Sequence, residues 1–250
     1  MAFDLIFFLV AIPAVFMIGL EKGGFGIGGG FLATPLLVTV LPPEVAVGLV
    51  LPLLMVADAA SLRAYWRFWD WPTARTMMLA VLPGIGLGVL LYGWADPDSV
   101  RLAIGLIALA FTPWNIARRR GWLGQGGGPL GPVAATAAGL ASGFTSFVAH
   151  AGGPPAAIYL LSRGLPKRTF QATTVLTFAW VNLLKLPPFA FLGLITEETL
   201  LGDLILAPIA VLGVIVGVWA HRRIPEGPFF LLMQAGLFLT GARLVWSALN

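Results

Sequence analysis

Six of the eight residues from Gly23 to Gly30 are glycine, and they stand between two apolar stretches. A glycine in a helix interior costs roughly 1 kcal/mol relative to alanine, so the run is a poor helix. It suits backbone that bends sharply or comes close to a ligand. The charged pair Glu21-Lys22 precedes it, and Phe31-Leu32-Ala33-Thr34-Pro35 follows. The chain repeats the idea further on. Gly139-Leu140-Ala141-Ser142-Gly143-Phe144 leads through Ser146 and His150 to Gly152-Gly153-Pro154-Pro155. Two glycine-rich breaks inside apolar sequence point to a membrane transport site.

Composition decides the solvent. Of the 250 residues 58% are hydrophobic and only 10% charged, against about 25% charged in an ordinary soluble domain. That is too little charge to cover a soluble surface, so the expected class is an all-α polytopic membrane protein. A β-barrel would need alternating strands of about ten residues, and the apolar runs here are continuous. The net charge of +4 sits largely in loops and does not imply nucleic-acid binding. With no cysteine and two histidines, disulfides and thiolate metal sites are excluded, and neither a metal nor a cofactor is expected. No basic region precedes the first apolar run, so Phe3–Leu20 is read as a retained span.

The chain divides into two halves. Residues 1–120 form a first transmembrane repeat, 121–132 a Gly/Pro linker, and 133–250 a second repeat. In the first, Phe3–Leu20 carries Pro13, a short Phe31–Leu41 piece ends at Pro42-Pro43, and Val45–Tyr65 carries Asp58 and Arg63. An aromatic loop, Trp66–Pro72, precedes Ala74–Trp94. Asp96-Pro97-Asp98-Ser99 reads as a turn and helix N-cap before Val100–Ala117. The second half holds Val133–Ala149, a short Gly153–Leu161 piece, Thr169–Leu192, Leu200–Ala220 and Phe229–Leu249. Gly139 and Gly143 answer Gly19 and Gly23, Lys185 answers Arg63, and Gly213 and Gly217 answer Gly84 and Gly88, with small gaps.

Loop charges set the relation between the halves. The Arg63–Arg75 and Arg118–Arg120 regions are basic and Asp96–Asp98 is acidic, whereas their counterparts are Glu197-Glu198, the uncharged C-terminus and His221–Arg223. Equivalent loops thus have opposite character. Since Lys/Arg-rich loops stay cytoplasmic, equivalent loops lie on opposite sides, which predicts inverted repeats. Five helical segments per repeat, ten in total, put both termini outside; three per repeat, with re-entrant hairpins, fit the charges equally.

Helix starts at the two breaks offer N–H donors to an anion, so Gly24, Gly26, Gly28, Gly29, Gly30, Gly152 and Gly153 are candidate substrate contacts. Close helix packing is the alternative use of such glycines. Gly24–Gly29 formally matches G-x-G-x-x-G, but no strand precedes it, so a dinucleotide site is rejected. Basic residues in apolar sequence are functional by default; Lys22, Arg63 and Lys185 are candidate anion partners, with snorkelling the alternative for Arg63. Gln171, Thr173, Thr174, Asn182, Ser142 and Ser146 are candidate neutral donors. Asp58, the one carboxylate read as well inside an apolar run, either pairs with a cation or carries a proton, and Glu21 and His150 are further candidates for proton coupling. Ser142, Ser146 and His150 admit a serine hydrolase, but no elbow motif or orienting carboxylate accompanies them.

The run Gly24–Pro35, its weaker echo at Gly139–Pro155, and the spaced Gly/Pro patterns of Pro83–Gly88 and Pro208–Gly217 resemble the TauE/SafE family, sulfite exporters also grouped as toluene-sulfonate-uptake permeases. The resemblance covers essentially the whole chain. It implies a secondary carrier for sulfite, thiosulfate or small organosulfonate anions in a bacterial cytoplasmic membrane, with the lipid bilayer and a sulfur-containing anion as partners and a homodimer as a possible assembly. The second break departs from the glycine-rich form at Ser146–His150, which bears on which anion is carried. Alternating access by one repeat bundle moving against the other is the expected mechanism. An anion channel, or a permease for carboxylates or other anions, stays open.

Overall fold

The computed structural model describes residues 4–24, 30–119, 121, 129–221, 238–239 and 241–249, and every regular element among them is helical. In chain order these are α1 (Leu5–Gly24), α2 (Ala33–Val38), α3 (Pro43–Ala64), α4 (Trp71–Ala80), α5 (Leu82–Trp94), α6 (Pro97–Arg119), α7 (Pro132–Ala149), α8 (Gly153–Ser162), α9 (Lys167–Phe191), α10 (Glu197–His221) and α11 (241–249). Among the described residues six stretches are long and apolar enough to span a bilayer: α1, α3, α4 with α5, α7, α9 and α10. The protein is a multi-pass helical membrane protein. The expected Ala74–Trp94 segment begins earlier and is interrupted at Val81, two residues before Pro83, whose ring clashes with the carbonyl four residues back. The Asp96 cap forms as expected, its carboxylate accepting from the Ser99 N–H at 2.8 Å. Most of the 121–132 linker lies outside the described residues.

The two short helices carry the chain back across the fold. At 1.5 Å per residue the six residues of α2 rise about 9 Å and the ten of α8 about 15 Å, well under the roughly 30 Å apolar core. Yet α1 and α3 run in the same direction. Asp4 and Phe7 share a cavity wall with Pro42 and Val45, and at the other end the Tyr65 hydroxyl donates to the Gly23 carbonyl at 2.6 Å. The segment between them must therefore traverse the fold. The same holds for α7 and α9, since Leu130 lies beside Ser162 near their starts and Lys185 beside Ser146 near their ends. Lys167 at the start of α9 donates to the His221 carbonyl at the end of α10, so α9 runs opposite to α3 and α10.

Glycines choose the partners of the outer helices. A methyl carbon on Gly19 would lie 2.0 Å from the Ala210 carbonyl oxygen, and one on Gly213 would lie 2.3 Å from that of Phe16. Thus α1 and α10 touch backbone to backbone, the close approach that small residues permit in membranes. A second seam joins α5 to α7, where Gly84 meets Leu140 and Gly143 meets Val81. Both seams link the first half of the chain to the second. Helices α3 and α9 lie between them, in contact with each other, α3 also packing on α10 and α9 on α4.

Candidate functional site

The second break is built on a strained residue. Helix α7 ends at Ala149, and His150 follows with φ 54° and ψ 24°, the left-handed region that glycine usually occupies. The turn is closed by bonds from His150 N–H to the Ser146 carbonyl and from Ala151 N–H to the Thr145 carbonyl, both 3.1 Å. The first break comes to meet it: a methyl carbon on Gly30 would stand 2.4 Å from His150 Cβ and 3.2 Å from Leu54, midway along α3. The two breaks therefore touch inside the bundle. Gly152 packs under Ser146 and Phe178, and Ser142 donates to its carbonyl at 2.7 Å.

Two lysines approach this point with different partners. Lys22, near the end of α1, places its ammonium 2.5 Å from Asp58 Oδ1. The other carboxylate oxygen of Asp58 accepts from Asn182 at 2.6 Å, and the Phe178 ring lies 5.4 Å from the Lys22 ammonium. Lys185 is 0% exposed. Its ammonium contacts the Ser146 carbonyl at 3.0 Å, the Ser146 hydroxyl at 3.2 Å and His150 Nδ1 at 2.8 Å. Among the described residues no carboxylate forms a salt bridge with it. His150 Nε2 lies 3.0 Å from the Val47 carbonyl; a carbonyl only accepts, so Nε2 carries hydrogen. The site thus holds one ion pair and one buried lysine held by neutral groups.

The other expected residues divide sharply. Gln171 is buried and uses its amide on the Lys22 carbonyl at 2.9 Å, clamping α9 to the end of α1. Thr173 and Thr174 donate to carbonyls one turn back in α9. Gly24 belongs to the α1–α10 seam, its carbonyl bonded by His221. Arg63 is exposed at the last turn of α3 and does not join the cluster. Glu21 is buried, with one carboxylate oxygen unbonded. Gly26, Gly28 and Gly29 lie outside the described residues. The helix start at Gly153 offers fewer donors than expected, because Pro154 and Pro155 have no N–H. Ser142 and His150 face different partners, Gly152 for the hydroxyl and Lys185 and Val47 for the ring, so the pair is not arranged as nucleophile and base.

Sequence reasoning missed three features. Phe178 and Phe189 border the two lysines, but phenylalanine is too common in apolar spans to signal a site. Asp203 on α10 is 7% exposed with neither carboxylate oxygen bonded; Asp58 is therefore not the one carboxylate buried in a span. A lone acid in Leu200–Ala220 was visible by the same criterion that found Asp58. Finally, a cavity of about 300 Å³ opens beside the second break, with an apolar wall from Phe31, Pro35, Ile104, Ala149, Pro154 and Ile158.

The family model described as "Sulfite exporter TauE/SafE" matches residues 11–244, nearly the whole chain. Neither a curated protein nor a solved structure matches it.

Proposed function

This chain belongs to the sulfite exporter TauE/SafE family, whose members are membrane transporters of small anions, and on that premise we propose that it is a secondary carrier of sulfite or a small organosulfonate. The observation that carries this reading is Lys185, a fully buried lysine held only by neutral groups where the two breaks touch. A lysine in a membrane interior is costly and calls for a function; a sulfo-oxyanion supplies the missing charge. Lys22 does not compete for that role, because Asp58 neutralises it. The apolar cavity next to Thr145 and Ala149 has room for the carbon body of a sulfonate.

The opposite courses of α3 and α9 support inverted repeats of five segments each. The basic residues Arg67, Arg163, Lys167 and Arg168 gather at one end, where Arg168 covers the Phe68 ring. Asp4, Glu44, Asp98 and Glu198 stand at the other, with the two arginines Arg101 and Arg243 among them. By the preference of Lys and Arg for the cytoplasm, the basic end faces inward in a bacterial inner membrane and both termini face the periplasm. The seams change which parts move. Because α1 is locked to α10 and α7 to α5, the bodies that exchange access are mixed, α1–α3 with α10 against α4, α5 and α7–α9, rather than the two sequential halves. The site lies between them, bridged by Asn182–Asp58, His150–Val47 and Gln171–Lys22.

Counterflow in proteoliposomes tests the reading. Labelled sulfite should enter faster when unlabelled sulfite or a sulfonate is trapped inside. Lys185→Met should lose at least about 90% of that exchange, read at equal amounts of protein that elutes as folded in size exclusion, because the substitution also removes the partner of His150 Nδ1 and Ser146. Normal exchange by Lys185→Met would sink the assignment, and no exchange of any sulfur oxyanion by the parent would remove the substrate class.

A further inference from the structure

We propose that anion binding at Lys185 is accompanied by uptake of one proton on His150, so that the protein moves anion and proton together. This rests on the carrier reading and deepens it. The Lys185 ammonium and His150 Nδ1 are 2.8 Å apart, and His150 Nε2 already holds a hydrogen for the Val47 carbonyl. One proton lies between Nζ and Nδ1. While that contact lasts, the pair carries a single positive charge, because Nδ1 serves as acceptor and a second proton would set two donors head to head.

An anion arriving at Lys185 changes the count. An oxyanion accepting from the ammonium draws it off Nδ1 and leaves that nitrogen buried without a partner, which is costly. A proton taken from water on the side of entry turns Nδ1 into a donor, and the anion then lies between two N–H groups in place of the Nζ–Nδ1 bond. On release the ammonium returns to Nδ1 and the proton leaves with the anion. The groups facing His150 favour this exchange. They are Lys185 on α9, the Ser146 carbonyl on α7 at the His150 N–H, the Val47 carbonyl on α3, Gly30 at the first break and the Phe189 ring. The further charges of the site, Lys22 on α1 and Asp58 on α3, are bonded to each other. The His150 ring lies between α3 and α9, with Val47 at one nitrogen and Lys185 at the other.

The test uses the full chain in proteoliposomes and labelled methanesulfonate, an anion that stays ionised throughout the assay and carries no proton itself. Counterflow at equal pH first shows whether the anion is carried; sulfite is the second probe. Net uptake is then driven by an inward proton gradient of one pH unit with the membrane potential clamped at zero. Coupling one proton to one monovalent anion should give about tenfold accumulation, unchanged when a potassium gradient and valinomycin impose a potential. Uptake that follows the potential and ignores the pH gradient would overturn the proposal while leaving the carrier reading intact. His150→Gln, which keeps a donor for Val47 but cannot take the proton, should lose the accumulation driven by the pH gradient. Accumulation that survives this substitution overturns the assignment to His150. If that variant does not fold, His150→Asn is read in its place for the assignment, and the two arms on the parent protein decide the coupling itself. Failure of both anions to exchange overturns the carrier reading and this inference with it.

Discussion

Removing Lys22 alone should damage the protein far more than removing Lys22 and the charge on Asp58 together. The two are 2.5 Å apart, with side chains only 3% and 4% exposed, and Asn182 holds the second carboxylate oxygen. Lys22→Met keeps most of the apolar stem and leaves a buried carboxylate facing one amide. Breaking a buried pair on one side costs about 3–5 kcal/mol. At about 2–4 °C per kcal/mol for a chain of this size, the midpoint should fall by roughly 6–20 °C. In Lys22→Met with Asp58→Asn the uncompensated charge is gone, and the double variant should return to within about 1 kcal/mol of the parent, since neutral replacement of a buried pair is often tolerated. Thermal unfolding in detergent, followed by tryptophan fluorescence with size-exclusion profiles as a control, gives all four corners of the cycle. Simple addition of the two single losses in the double variant would refute the pairing. Counterflow adds a second reading: the double variant should still exchange anion, because the pair contributes no net charge to the site.

The seams and the cap give two further predictions. Gly19→Ala places a carbon 2.0 Å from the Ala210 carbonyl oxygen in the α1–α10 seam and should cost about 1–3 kcal/mol or more through overpacking, whereas Gly86→Ala meets nothing within 4 Å and should stabilise by up to about 1 kcal/mol through helix propensity; equal melting shifts would show that the seams do not constrain packing. At the exposed start of α6, the Ser99 N–H and hydroxyl hold the Asp96 carboxyl below its ordinary range. Its folded value is depressed, so the cap is intact above the ordinary carboxylate range and is lost as pH falls through the lowered value. Amide exchange at Ser99 should quicken over that acid window in the parent and show no such step in Asp96→Asn.

The membrane class, the broken segments and the places of the buried lysines were legible in the chain because each depends on local composition. A run such as Leu200–Ala220 needs no partner to declare itself apolar, and glycines at Gly30 and Gly152 mark poor helix wherever they fold. The seam glycines were legible too, as the matched pairs Gly19 and Gly23, Gly213 and Gly217, but their contacts were not. Equivalence in sequence gave no hint that the first segment of one half packs on the fourth of the other.

What only the tertiary structure decided is which charge meets which partner. Lys22, Arg63 and Lys185 were all candidate anion partners as cations in or beside apolar sequence, with snorkelling the alternative for Arg63. Yet Arg63 emerges at a helix end, Lys22 is neutralised by a residue 36 positions away, and Lys185 meets a histidine 35 positions away, with no acid bonded to it among the described residues. Those outcomes turn on the rotation and depth of each helix against its neighbours, quantities fixed by backbone approach at the glycine seams. Periodicity reports which face of a helix is apolar, and in helices that are apolar nearly all round it does not tell the chain which polar group its neighbour will present.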